Sequence, residues 1–72
     1  MAREVTGADV ARVQEWLRQR RAVAVSADEA RAVVVAAIAG RRIVVAGEDV
    51  LTRATTHVQV APHELRGVLG LA

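Results

Sequence analysis

The sequence predicts an α+β fold: two N-terminal helices, a short antiparallel β-hairpin or three-strand meander, and a short C-terminal helix. Three observations carry this. Residues 26–40 read as a complete helix with a start signal, an apolar body and a stop signal. Residues 42–46 and 56–60 are β-branched runs of strand length, the second with strict alternation. Pro62 then stops that strand in the position that suits the first residue of a last helix.

In chain order, residues 1–7 form a short lead-in, and Thr6 to Asp9 supply a cap for a first helix over about residues 8–21. Asp9 falls in its first turn, where a carboxylate complements the helix dipole. Val10, Val13 and Leu17 follow helical spacing, with Trp16 at the edge of the stripe. Arg12, Glu15, Arg18 and Gln19 occupy the opposite, solvated side, where Glu15 and Arg18 are spaced to pair for a few tenths of a kcal/mol. Residues 22–25 read as a connector between two helices; the competing reading makes them a strand and residues 22–46 a β-α-β unit, which is shorter than the ~30 residues usual for that motif.

The second helix is the most distinctive segment. Ser26 is a good N-cap, Glu29 stands three residues later as the return half of a capping box, and Gly40 suits the left-handed C-terminal position. At about 100° per residue, Ala30, Val33, Val34, Ala37 and Ile38 gather on one face. Ala32, Val35, Ala36 and Ala39 form a second apolar face roughly opposite, interrupted only by charged residues near the start. A short helix apolar on both sides needs cover on both sides, from its own chain or from another.

After the strand over residues 42–46, Gly47 and Glu48 read as a two-residue hairpin turn with glycine first, returning through residues 49–53. In the next strand Thr56, Val58 and Val60 face one way, His57 and Gln59 the other. Leu65, Val68 and Leu69 can pack inward from the last helix, which Gly67 and Gly70 weaken. No repeat, linker or low-complexity stretch divides residues 1–72, which read as a single small domain.

A chain of 72 residues buries only about 60% of its unfolded surface, so its stability is marginal unless something supplements the core. Without cysteine there is no disulfide or thiolate zinc site, and the two histidines alone cannot close a four-ligand metal site. Oligomerisation is the supplement that remains, and the alternative is a well-packed Val/Ala/Leu monomer. All ten cationic side chains are arginine, beside abundant alanine, valine and glycine, which is the signature of a GC-rich coding bias. The net charge is only +2. With no lysine, tyrosine or cysteine to titrate in the alkaline range, that small excess is enough to raise the isoelectric point to about 11.0. The first residues lack the continuous apolar stretch of a signal peptide, and the longest apolar run, residues 32–39, is far short of the ~20 residues that cross a bilayer. The expected location is cytoplasmic, or within a virion assembled there, with no membrane partner.

Catalytic chemistry finds little to work with. Ser26, the only serine, is engaged as a cap, and His57 and His63 stand on a strand face and near a helix start, with no shared geometry. Asp28 with Glu29 and Glu48 with Asp49 are placed at a helix start and a turn. The five glycines match no phosphate-binding loop. The expectation is therefore no enzyme, with no catalytic, cofactor-binding or metal-ligating residues, no cofactor and no evident small-molecule substrate.

Two binding readings remain. The first is a protein–protein interaction or assembly module, homo-oligomeric or part of a larger particle such as a phage structural assembly, whose partner is itself or another protein chain. Its contact residues would be Ala32, Val35, Ala36 and Ala39, small enough for close backbone approach, with Arg31 and Arg42 at the rim. The second is a small DNA-binding regulator, of winged helix-turn-helix type in outline, that holds phosphates with Arg18, Arg20, Arg21, Arg41 and Arg42. Against it, residues 27–39 offer a DNA groove almost no donor or acceptor besides Arg31, and Trp16 is the only aromatic side chain for stacking. The two readings separate on whether those arginines share one face.

Overall fold

The computed structural model describes residues 3–71 and bears out the α+β class, with helices packed on a three-stranded antiparallel sheet of order β1-β2-β3. The first two residues of the lead-in lie outside the described part. Helix α1 spans Gly7–Arg21. It starts with a reciprocal capping box: Thr6 Oγ1 accepts from the Asp9 N–H at 3.2 Å, and Asp9 Oδ2 accepts from the Thr6 N–H at 3.1 Å. Its stripe Val10, Val13 and Leu17 is buried as spaced, while Trp16 sits half-buried against the core. Glu15 bonds Gln19 in place of the expected Arg18. The helix ends on Ala22, which adopts the left-handed conformation at φ 56°.

Val23–Ala24 is a strand, β1, which corrects the expected connector. It also departs from the β-α-β alternative, because β1 runs antiparallel to β2, pairing Val23 with Asp49 and Ala24 with Glu48. A two-residue strand has no sequence signature of its own; only the partner strand defines it.

Helix α2 spans Ala27–Ile38. Ser26 Oγ accepts from the Glu29 N–H at 3.1 Å, as a cap should. At the other end the Gly40 N–H donates to Ala37 O and the Arg41 N–H to Ala36 O, with Gly40 at φ 70°. These are the two bonds of a Schellman stop, and they turn the chain directly into β2. Ala30, Val33, Val34 and Ala37 face the core.

Strand β2 spans Ile43–Asp49 and β3 spans Thr55–Val60, paired from Ile43–Val60 to Glu48–Thr55. The expected turn at Gly47 and Glu48 is therefore corrected. Both residues lie within β2, and the chain reverses over residues 50–54 instead of running back through residues 49–53 as a strand. Two local causes act together. Asp49 Oδ1 accepts from the Leu51 and Thr52 N–H groups at 2.9 and 3.0 Å, nucleating the turn, and Arg53 takes the positive φ of 65° that closes it. Gly47 meets a steric demand instead, since a Cβ there would stand 2.5 Å from Val23 Cγ1 and 2.6 Å from Ala24 O. Its missing side chain lets β1 cross close over β2.

Thr56, Val58 and Val60 face the helices and His57 and Gln59 face solvent, as their alternation predicts. Pro62 opens a single 3-10 turn, Pro62–Leu65, which continues into the short α3, Arg66–Leu69. Leu65 and Leu69 enter the core with Val68 against its edge. Arg3 clamps the two chain ends together, bonding Leu69 O at 2.7 Å and the buried carboxylate of Asp9 at 2.6 Å.

Candidate functional site

The turn at Gly40 brings the second apolar face of α2 alongside the start of β2. Between them lies a shallow concavity of about 420 Å³, lined by Asp28, Arg31, Ala32, Val35, Ala36, Arg41, Arg42 and Ile43. Five of the six residues expected at a protein interface, Arg31, Ala32, Val35, Ala36 and Arg42, thus share one groove. Ala39, the sixth, is exposed on the same flank one turn further on, outside the groove lining. Val35 is 45% exposed, whereas Ala36, only 5% exposed, forms the groove floor more than its wall. The structure adds Asp28, which shares this face of α2 by its i, i+4 and i, i+7 spacing to Ala32 and Val35, and Arg41 and Ile43, which lie beyond the helix and outside the reach of its periodicity.

Beyond the groove, the solvent face of the sheet carries Val44, 61% exposed, beside Ala46 and across from Gln59 and His57. A second concavity of about 450 Å³ lies toward the other end of β2, between the cap residue Ser26 and Glu29 of α2 and Ala46, Gly47 and Glu48 on the strand. The two concavities differ in charge. Among the described residues, Arg31, Arg41 and Arg42 dominate the first, with Asp28 as its only carboxylate, while Glu29 and Glu48 are the only charged residues in the second.

The arginines proposed for phosphate contact are not brought together. Arg41 and Arg42 precede β2, while Arg18 stands at its far end beside Glu48, Asp49, Val50 and Arg53, about 17 Å away along the strand. Arg21 is committed to the fold: its guanidinium bonds Glu64 Oε1 at 2.6 Å and Gln59 O at 3.3 Å, and lies 5.7 Å from the centre of the Trp16 ring. Arg20 is exposed on α1.

The carboxylates with shifted titration serve the scaffold. The Thr6 backbone N–H, followed by burial acting in the opposite direction, then Thr6 Oγ1 and Arg3 and Arg12, hold Asp9 below its ordinary range. Backbone N–H groups of Thr52 and Leu51 do the same for Asp49, and the Ala61 N–H together with Arg21 for Glu64. Among the described residues no group of three or more His, Cys, Asp or Glu side chains converges as a metal cage, and no helix is long and apolar enough to cross a membrane. His57 and His63 are both exposed, on β3 and in the 3-10 turn. In comparisons with known proteins, no family model, no curated protein and no solved structure matches this chain.

Proposed function

We propose that this chain is a non-enzymatic protein–protein interaction module that works by assembly, as a homo-oligomer or as one component of a larger particle, through the groove between α2 and β2. The observation that carries the reading is the half-exposed Val35 beside Ala32 and Ile43 in an arginine-rimmed groove. Scattered apolar side chains are ordinary on a protein surface, whereas a contiguous apolar strip rimmed by charge marks an interaction site. Apolar centre and guanidinium rim also match the anatomy of protein interfaces, where arginine is enriched. Protein is favoured over DNA as the partner because Arg21 is engaged by Glu64, and Arg18 stands beside carboxylates at the end of β2 opposite the Arg41–Arg42 pair.

Sedimentation equilibrium of the full chain tests this reading. Ala32→Glu and Val35→Glu place a charge on the exposed flank and are expected to dissolve the assembly while leaving helical content unchanged. Ala36→Glu is a poorer probe, because it would force a carboxylate into the packed side of the helix. An assembly indifferent to both exposed substitutions would move the interface elsewhere. Tight binding to duplex DNA that falls steeply with salt and is lost on replacing Arg41 and Arg42 would replace the reading altogether.

A further inference from the structure

The backbone along this groove is more specific than its side chains. The Asp49 N–H bonds Ala54 O, so Ile43, Val45, Gly47 and Asp49 direct their N–H and C=O groups toward β3. Val44, Ala46 and Glu48 therefore direct theirs to the opposite edge. There Glu48 meets Ala24 in β1, and one step further the Val50 N–H reaches Ala22 O. The next rung toward the start of the strand would join Ala46 to Ser26, but Ser26 has already turned away to cap α2. Among the described residues no hydrogen bond takes up the N–H and C=O groups of Val44 and Ala46. A strand position beside them is vacant, bordered by the flank of α2.

Water solvates such an edge in the free chain, and another extended backbone is what pairs with it rung for rung. Charge indicates which one. Along the vacancy the groove is basic at the Arg41–Arg42 end and acidic at the Glu29–Glu48 end. A surface with opposite charges at its two ends is complementary to itself when turned through 180°, which is what a two-fold symmetric contact requires. We propose that β2 pairs antiparallel, through its free edge, with β2 of a second copy, joining the two sheets into one across a two-fold axis.

The register follows from the space available. Beyond Ala46 the edge is held by β1, so the axis passes at Val44, with Val44 opposite its counterpart and Ala46 opposite Arg42 of the second copy. Each Arg42 then arrives at the Glu29–Glu48 end of the other chain. The exposed Val44 side chains meet on the outer sheet face, and the two α2 flanks carrying Ala32 and Val35 approach across the axis on the inner face. One contact would thus cover the unbonded backbone, the apolar helix flank and the exposed valine together.

This proposal rests on the groove being the interaction surface, and two substitutions at Val44 test it separately from that reading. The chain has no cysteine, so Val44→Cys introduces a single thiol. Opposed residues in a hydrogen-bonded antiparallel pair are ~5.5 Å apart at Cα, within disulfide range. Oxidation is expected to convert this variant to a covalent dimer of twice 7.7 kDa. His57→Cys, on β3 at the other edge of the sheet, is expected to stay largely monomeric under the same treatment. Val44→Pro removes an N–H that β3 does not use, and proline is tolerated where an edge N–H faces outward; its expected effect is loss of the dimer with the circular dichroism spectrum retained. Cross-linking at His57 in place of Val44 overturns the proposal. So does an assembly that fails to cross-link at Val44 and is dissolved by Val35→Glu, which leaves the groove reading standing with another occupant. A chain that is monomeric up to millimolar concentration overturns the proposal and, of the groove reading, its homo-oligomeric form.

Discussion

The two ends of β2 have opposite fates. At Glu48 and Asp49 the strand is covered by β1, and the approach is so close that Gly47 has no room for a Cβ. At Val44 and Ala46 no strand among the described residues covers the same edge, and Val44 carries a branched apolar side chain into solvent. The difference lies in where the preceding chain leaves the sheet. Ser26 caps α2 as soon as β1 has made its second pair, so the requirement of the helix terminus for a cap cuts the ladder short. Ser26 thus divides the end of this edge that β1 covers from the end that β1 leaves open.

Substitution should expose that contrast most strongly at Gly47. Gly47→Ala places a methyl group against Ala24 O, a backbone atom that cannot swing aside, and should destabilise by about 2–3 kcal/mol. Val44→Thr at the open end should change monomer stability by less than about 0.5 kcal/mol. Urea titrations in dilute solution, where association does not contribute, check both. A Gly47→Ala variant as stable as the parent would mean that β1 does not press on β2 as closely as described.

The helix ends give a smaller contrast. Gly40 and Ala22 both adopt left-handed conformations, at φ 70° and 56°. Gly40→Ala should cost about 1 kcal/mol, while Ala22→Gly should gain about 0.5 kcal/mol, the gain being reduced by the extra freedom glycine has when unfolded. Thermal denaturation of the two variants should shift in opposite directions.

The third contrast is with pH. Asp9, Asp49 and Glu64 all titrate below their ordinary range in the folded chain. A depressed folded-state value means that the stabilisation is present above the unfolded carboxylate range and is lost as pH falls through the depressed values. Stability measured from about pH 6 down to about pH 2 should therefore fall, and Asp9→Asn should flatten part of the fall. The open end of β2 contributes nothing to it, so Val44→Thr should leave the slope unchanged.

Much of this architecture is legible in the residues themselves. Thr6 and Asp9, Ser26, Gly40 and Pro62 mark element ends through local chemistry, and the alternation of residues 56–60 fixes which side of β3 faces the helices. Glycine at position 47 is the instructive failure. Followed by a polar residue between two apolar runs, it carries the signal of a tight turn, yet it serves a long-range approach by β1 that no neighbouring residue announces. The two-residue β1 fails for the same reason. At the groove, helical periodicity is enough to place Arg31, Ala32, Val35, Ala36 and Ala39 on one flank, whereas Ile43, Val44 and the unbonded edge depend on how the chain folds back after Gly40.

Amide exchange at Val44, Ala46 and Glu48, followed by NMR at high and low protein concentration, tests the pairing of β2 with a second copy most directly. Glu48 is expected to be protected throughout, while Val44 and Ala46 are expected to be protected at high concentration and to exchange rapidly on dilution. Rapid exchange of Val44 and Ala46 at every concentration, with the chain assembled, would contradict it.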